Sequence, residues 1–276
     1  MEKILVPVDF SDFAERALEY AVIIAERTQS EIVLAHAVVP HIPPGSNQHF
    51  YELSIEKQTQ EAEEKLAGLV AKHQSESTPF SLDYVIEKDT PSDAIADWTK
   101  KIKPFLIVMG TQGASGLEKV LFGSVTTEVM NKVGCPLLVV PEEAEIKAFQ
   151  KITYATEFDP RDAETLDLVT ELAARFSAKV NCLHISTDVE DLYEAQDKIK
   201  ILRDRFEDDN VNFEIISSTK SFDEELDTCL ENRDIDLLVM LTHERNFFER
   251  LFNRSKTREV AFRTDTPLLI FKRRKK

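Results

Sequence analysis

Four glycines and a serine follow an apolar run near the middle of the chain, in Gly110-Thr-Gln-Gly113-Ala-Ser-Gly116 and, a few residues on, Gly123-Ser124-Val125. Glycine has no Cβ atom, so its backbone can turn tightly and approach a bound molecule closely. A helix expected to begin near Val125 would direct its free N–H groups and the positive end of its dipole at an anion. The hydroxyl of Ser124 adds a further donor. The pattern favours a phosphate-binding loop, although single glycines of this kind also serve sharp strand-to-helix turns.

A carboxylate stands at the end of another apolar run, where Asp9 follows Val8. Such a group can accept hydrogen bonds from ribose hydroxyls or from an amino group. The glycine segment lacks the lysine-serine pair of a P-loop. It also does not follow the first strand, as a Rossmann dinucleotide site requires. Both of those phosphate-binding classes are therefore excluded.

The glycines and Asp9 lie between short apolar runs that alternate with helical patterns. This alternation predicts an α/β fold with a parallel sheet. The first half contains five predicted strands: Ile4–Val8, Ile32–Val38, Ser81–Ile86, Leu106–Gly110 and Leu137–Val140. Asp12, with Glu15 three residues later, has the spacing of a capping box and predicts the start of the first helix. In a doubly wound sheet, ligands bind at the carboxyl ends of strands where the strand order reverses. Binding residues are therefore expected just after Val8 and just after Met109.

The second half of the chain repeats the first. Glu157 corresponds to Asp9 and His184 to His36 at one constant offset, and the later apolar strands match at a second, smaller offset. The second copy is therefore shorter after His184. We expect two tandem repeats of a five-stranded, parallel, doubly wound, Rossmann-like sheet.

The repeat predicts two domains, 1–143 and 150–276, separated by a charged segment. In the second domain, Asp159 is the expected N-cap of the first helix, with Pro160 in its first turn. The phosphate loop does not survive there: Gly110, Gly113 and Gly123 are replaced by Leu241, Glu244 and Arg254, and only Ser255 matches Ser124. A carboxylate at Glu244 would repel phosphate. The second domain is therefore not expected to bind a nucleotide in the same way.

Histidines and acidic residues near the mouth of the second crevice leave a metal site conceivable: His184, Glu157, His243 and Glu244. No recognised ligand spacing supports that reading. A partly buried strand histidine is favoured instead, because His36 occupies the matching position. Trp98 is expected to be a core residue.

Composition limits the class of protein and its partners. The formal net charge of -16 disfavours binding to nucleic acid or to an anionic membrane. The three cysteines, Cys135, Cys182 and Cys229, form no CxxC pair, which argues against a disulfide framework or a structural zinc site. No apolar run approaches the roughly 20 residues of a membrane span, and no signal-peptide pattern is seen at the N-terminus. A cytoplasmic protein is expected.

These residues resemble a known family. Val6-Pro-Val-Asp9-Phe-Ser11, the glycine segment after Met109 and Cys135-Pro-Leu-Leu-Val-Val140 are similar to the ATP-binding branch of the universal stress protein family. The resemblance extends over both copies, as in the tandem two-domain form. It implies ATP in the first domain, accompanied by Mg²⁺ or Mn²⁺, although no carboxylate cluster identifies that cation. The resemblance implies that Val8 and Met109 line the pocket. It also implies that Asp9 contacts the nucleoside and that the backbone of Ala37 contacts the adenine. The residues implied around the ribose and the phosphates are Gly110, Gly113, Gly116, Gly123, Ser124 and Val125.

The resemblance also implies a stress-response regulator or sensor that acts through its nucleotide-bound state. In this family the last strand commonly pairs two domains, so Leu137–Val140 and Leu268–Phe271 are expected to form an internal pseudo-dimer, with further homodimerisation and an unidentified protein partner left open. Two alternatives remain: a weak ATPase or autophosphorylating enzyme, and a nucleotide-free interaction scaffold. No general base is evident beside the glycine loop, so no catalytic residue is assigned.

Overall fold

The computed structural model describes residues 1–39, 48–111, 123–158, 162–206, 210–242 and 265–272. The chain divides into two compact units, Met1–Glu142 and Glu143–Lys276. Each unit is an α/β sheet with its own core, as the repeat in the sequence predicts.

Five parallel strands form the sheet of the first unit. Its elements in chain order are β1 (Lys3–Pro7), α1 (Asp12–Thr28), β2 (Glu31–Ala37), α2 (Gln48–His73), β3 (Ser81–Glu87), α3 (Pro91–Ile102), β4 (Leu106–Gly110), α4 (Ser124–Lys132) and β5 (Leu137–Val140). The strand order is β3-β2-β1-β4-β5, and every neighbouring pair is parallel. The order reverses between β1 and β4, so the predicted doubly wound topology is confirmed.

The second unit has the same topology. Its elements are β6 (Lys151–Ala155), α5 (Asp162–Phe176), β7 (Lys179–Ser186), α6 (Val189–Arg205), β8 (Val211–Ser217), α7 (Phe222–Asn232), β9 (Leu237–Thr242) and β10 (Leu268–Lys272). The parallel strands follow the order β8-β7-β6-β9-β10. The helix after the second strand has 17 residues here, against 26 in the first unit. This difference accounts for part of the shortening that the sequence shows.

Apolar strands buried on both faces form the core of each unit, as expected for a parallel sheet covered by helices. Ile4, Leu5 and Val6 are fully buried, and Trp98 packs in the core as predicted. Cys182 and Cys229 are also buried and behave as small apolar side chains. Within the described ranges, no helix combines the length and the apolar character needed to cross a membrane.

Helix α1 begins differently from the sequence prediction. Ser11 is the N-cap, and its Oγ accepts a hydrogen bond from the Ala14 N–H at 3.3 Å. Asp12 is the first residue inside the helix, so the prediction of Asp12 as the cap is wrong by one residue. The reason is local: Ser11 is held in place by Asp9. The corresponding start in the second unit, at residues 159–161, lies outside the described residues.

Candidate functional site

The carboxyl ends of β1, β2 and β4 meet where the strand order reverses. Leu5 pairs with Ile107, so continuing this register by three residues places Val8 level with Gly110. Val8 is buried and donates its N–H to the Ala35 carbonyl at 2.9 Å, while Ala37 ends β2 and is half-buried. Met109 is buried in β4. The structure thus brings Val8, Ala37 and Met109 to one edge of the sheet.

Asp9 carries the carboxylate at this edge, and its side chain is exposed. Oδ1 accepts hydrogen bonds from the Ser11 N–H at 3.1 Å and from the Ser11 Oγ at 2.5 Å. The same hydroxyl caps helix α1, so the first turn of the helix fixes the direction of the carboxylate. Asp9 is therefore an oriented acceptor at the mouth of the crevice.

Phe10 turns the chain sharply after Asp9. Its φ of 62° lies in the left-handed region, which bulky residues rarely adopt. The ring lies 4.6 Å from the His36 ring, and the Lys65 ammonium lies over the Phe10 ring at 4.9 Å from its centroid. His36 Nδ1 in turn lies 2.7 Å from the Val8 carbonyl oxygen. The corner is therefore held by side chains from β2 and α2.

Gly110 has a role that the sequence does not reveal. A Cβ atom built on this glycine would lie 2.8 Å from the Phe13 Cβ and 2.9 Å from the Phe13 carbonyl oxygen. The Gly110 carbonyl also accepts a hydrogen bond from Thr126 Oγ1 at 3.1 Å. Gly110 must therefore be a glycine so that helix α1 can pack against β4. The sequence pattern alone suggests only that the glycine lets a ligand approach the backbone.

Gly123 caps helix α4, with φ −60° and ψ 159°, and provides no side chain to bond its first turn. Its N–H donates to the Thr111 carbonyl at 2.7 Å, which closes the connection from β4. The helix begins at Ser124, one residue earlier than predicted. Thr127 is the first residue whose N–H reaches a helical carbonyl, that of Gly123. The N–H groups of the residues from Ser124 to Thr126 therefore have no acceptor within the helix.

Two predicted contact residues, Gly113 and Gly116, lie outside the described residues. The others form two groups on the described part of the first unit. Val8, Asp9, Ala37, Met109 and Gly110 stand at the ends of β1, β2 and β4, and Gly123, Ser124 and Val125 form the first turn of α4. An oriented acceptor at one group and N–H donors without an acceptor in their own helix at the other suit a ligand with a hydroxylated part and an anionic part.

The corresponding corner of the second unit is more deeply buried than that of the first. Phe158 again has left-handed backbone, with φ 52°, but its side chain is fully buried. Its ring lies 5.5 Å from the His184 ring and 6.1 Å from the Phe213 ring. His184 is bonded on both nitrogens: Nδ1 lies 2.9 Å from the Thr156 carbonyl oxygen and Nε2 lies 3.0 Å from Asp191 Oδ2. The sequence does not predict the burial of Phe158 and His184, because it depends on side chains from β8 and α6.

The partners of His184 favour the structural role expected for it over the metal alternative. Neither ring nitrogen is left for a metal, because a carbonyl and a carboxylate occupy them. Among the described residues, no three His, Cys, Asp or Glu side chains are grouped so as to hold a metal ion. His243 and Glu244, the other members of the conceivable site, lie outside the described residues.

Comparison with known proteins shows that both halves of the chain match one family. The model of the family described as "Universal stress protein family" matches residues 1–141 and, a second time, residues 148–272. The chain belongs to the universal stress protein family. The two matches establish it as a tandem universal stress protein, with one family unit in each half.

Relatives of this universal stress protein include single and tandem forms. Universal stress protein MJ0531 of Methanocaldococcus jannaschii is 32% identical over 140 residues, which cover 50% of this chain and 81% of that protein. A universal stress protein of Mycolicibacterium smegmatis is 22% identical over 292 residues, covering 98% of this chain and 97% of that protein. The crystal structure of a universal stress protein from Archaeoglobus fulgidus DSM 4304 covers 99% of this chain and 98% of its own, with a TM-score of 0.78 and 18% identity. This last likeness supports the fold.

Proposed function

We propose that the first unit binds ATP and that the protein acts in the cytoplasm as a stress-response regulator or sensor through its nucleotide-bound state. One observation carries the proposal: the oriented Asp9 carboxylate and the first turn of α4, which has no side-chain cap, belong to elements that meet at the reversal of strand order. Crevices at such points are where doubly wound sheets bind ligands. The proposed domains are 1–143, with the ATP site, and 150–276, with a degenerate site.

The phosphates belong to the α4 end of this crevice. Helix N-termini bind anions because their N–H groups and dipole are directed outward. The N–H groups of Ser124 and Val125 are placed for this, and the Ser124 hydroxyl adds a donor. Gly123 itself places no side chain between these donors and a phosphate. From the sequence, Gly113 and Gly116 are assigned to the same loop.

The nucleoside belongs to the β1 and β2 end. Asp9 would accept hydrogen bonds from ribose hydroxyls, and the backbone of Ala37 would contact the adenine. Val8, Met109 and Gly110 provide the buried floor between these two groups. The described residues offer no metal site of their own, so we assign Mg²⁺ or Mn²⁺ only as a companion of the triphosphate.

The second unit is proposed not to bind ATP. Phe158 and His184 are buried there and Asp191 bonds Nε2 of His184, which supports a corner with no room for a nucleoside. Leu241 and Glu244 stand in the sequence where Gly110 and Gly113 stand in the first unit. One nucleotide per chain is therefore expected.

The first test is to denature the purified protein and to count the released nucleotide by chromatography with mass detection. About one ATP per chain supports the proposal, and two would contradict the assignment of the second unit. If none is released, a melt with added ATP and magnesium decides, because a ligand at 100 times its Kd stabilises by about 2.7 kcal/mol. A melt that ATP does not shift would favour the nucleotide-free scaffold.

A substitution at Gly123 tests the phosphate end without harming the fold. Asp and Asn are both good N-caps, and the φ and ψ of Gly123 are open to either residue. Gly123→Asp places a carboxylate against the phosphates, whereas Gly123→Asn places a neutral side chain of the same size there. We expect the Asp variant to bind ATP at least about tenfold more weakly than the Asn variant. Equal affinities would contradict phosphate binding at this turn.

A further inference from the structure

Matching histidines stand at the end of the second strand in each unit, and each is fixed in the same way. Nδ1 of His36 lies 2.7 Å from the Val8 carbonyl oxygen, and Nδ1 of His184 lies 2.9 Å from the Thr156 carbonyl oxygen. A carbonyl oxygen can only accept, so Nδ1 carries the hydrogen in both rings. In the neutral form of His36, Nε2 is therefore an acceptor.

The two histidines differ at Nε2. In the second unit, Asp191 from α6 lies 3.0 Å from Nε2 of His184, and the His184 side chain is buried. In the first unit, no residue of the described part of the chain bonds Nε2 of His36, and His36 is only half-buried. Nε2 of His184 thus bonds a carboxylate of its own unit, whereas Nε2 of His36 bonds none of the residues that the structure describes.

The geometry points to Nε2 of His36 as a ligand contact of the first unit, where it accepts a hydrogen bond from the exocyclic amino group of the adenine. This inference rests on the proposed function. The amino group is chosen because His36 directly precedes Ala37, whose backbone is assigned to the base. The ring is also held in place by Phe10 and by the Val8 carbonyl, so it is ready to bind without reordering.

The contact makes His36 a determinant of base specificity. Adenine presents an N–H donor where hypoxanthine and guanine present a carbonyl oxygen. An acceptor nitrogen facing that oxygen would leave two acceptors opposed, which a buried site penalises. ATP should therefore be preferred over inosine triphosphate, which differs from ATP at this position of the base.

His36→Asn is the sharpest variant, because the asparagine amide can donate to the Val8 carbonyl in place of Nδ1 while nothing replaces Nε2. His184→Asn is the matched control in the second unit. The Kd values of ATP, inosine triphosphate and 2′-deoxy-ATP are measured by calorimetry for the wild type and both variants. His36→Asn should reduce the preference for ATP over inosine triphosphate by about tenfold, and His184→Asn should leave that preference unchanged.

Other outcomes separate this inference from the proposed function. If the wild type does not bind ATP, both fail. If the wild type binds ATP and His36→Asn keeps the full preference over inosine triphosphate, only the role of His36 fails. A variant that loses discrimination between ATP and 2′-deoxy-ATP instead would place Nε2 on the ribose and overturn the assignment to the base. A thermal melt of each apo variant confirms that the fold is intact.

Discussion

The backbone of Phe13 passes so close to Gly110 that a Cβ on the glycine would lie 2.9 Å from the Phe13 carbonyl oxygen. Helix α1 and strand β4 therefore depend on a residue without a side chain at this point. Because the clash involves backbone atoms, a larger residue could be accommodated only if the helix moved.

Gly110→Ala should lower the free energy of unfolding of the first unit by about 1–3 kcal/mol, the usual cost of overpacking a close contact. The measurement is urea unfolding followed by circular dichroism. Gly134→Ala is the control, because a Cβ at Gly134 meets nothing within 4 Å. If Gly110→Ala abolished ATP binding at unchanged stability, the glycine would serve the ligand rather than the helix.

Gly68→Ala should have the opposite effect. Gly68 lies inside helix α2, where a Cβ would meet nothing within 4 Å. Alanine loses less backbone entropy than glycine in a helix, so the variant should be about 0.5–1 kcal/mol more stable. Urea unfolding checks this result as well. A destabilised Gly68→Ala variant would show that α2 packs more tightly at this residue than the structure indicates.

Asp236 should make the second unit sensitive to acid. Its carboxylate accepts from Lys147 Nζ at 2.9 Å and from the N–H groups of Gln150 and Lys151 at 2.8 and 2.9 Å. Burial by itself raises the pKa of Asp236, but the hydrogen bonds from Lys147, Gln150 and Lys151 outweigh it and hold the pKa below the ordinary 3.8. The stabilisation is therefore complete above that ordinary value and is lost as the pH falls through the lower pKa of the folded state.

Asp236→Asn should cost about 2 kcal/mol at neutral pH and should remove part of the loss of stability that sets in as the pH falls below the ordinary pKa of 3.8. Chemical unfolding at several pH values gives both results. Asp234→Asn is a matched control, because Asp234 is exposed and pairs with Lys151 at the surface, where such pairs contribute about 1 kcal/mol or less. Parallel pH profiles for the wild type and Asp236→Asn would contradict this account.

Asp191→Ala should destabilise the second unit by about 1–3 kcal/mol, because it leaves Nε2 of the buried His184 without its partner. Glu190→Ala removes an exposed carboxylate from the same helical turn and serves as the control. Thermal unfolding by calorimetry distinguishes them. If the two variants melted alike, the His184–Asp191 bond would contribute little to the closed crevice.

Much of the sheet could be predicted because buried parallel strands are continuous apolar runs. The bounds of Leu106–Gly110 and Leu137–Val140 are those predicted from the sequence. The start of α1 was predicted one residue too late, because Ser11 and Asp12 are both residues that cap helices well. Only the bond from Ser11 to Asp9 selects Ser11.

The site could be predicted only in part. Asp9 follows the apolar run of β1 and Gly123 directly precedes helix α4, as the sequence pattern predicts. The contacts of Gly110 with Phe13 and of His184 with Asp191 depend on how helices pack on the sheet. No local pattern encodes such packing, and propensity argues against the left-handed corner at Phe10.

That corner has a consequence for the history of the chain. Left-handed backbone at a phenylalanine costs about 1–3 kcal/mol, yet Phe10 and Phe158 both adopt it at the same place in their units. Two separate acquisitions of so unfavourable a conformation are improbable. The corner therefore dates from a single-copy ancestor that existed before gene duplication. The two corners have since diverged, because Phe158 is fully buried whereas Phe10 is only half-buried.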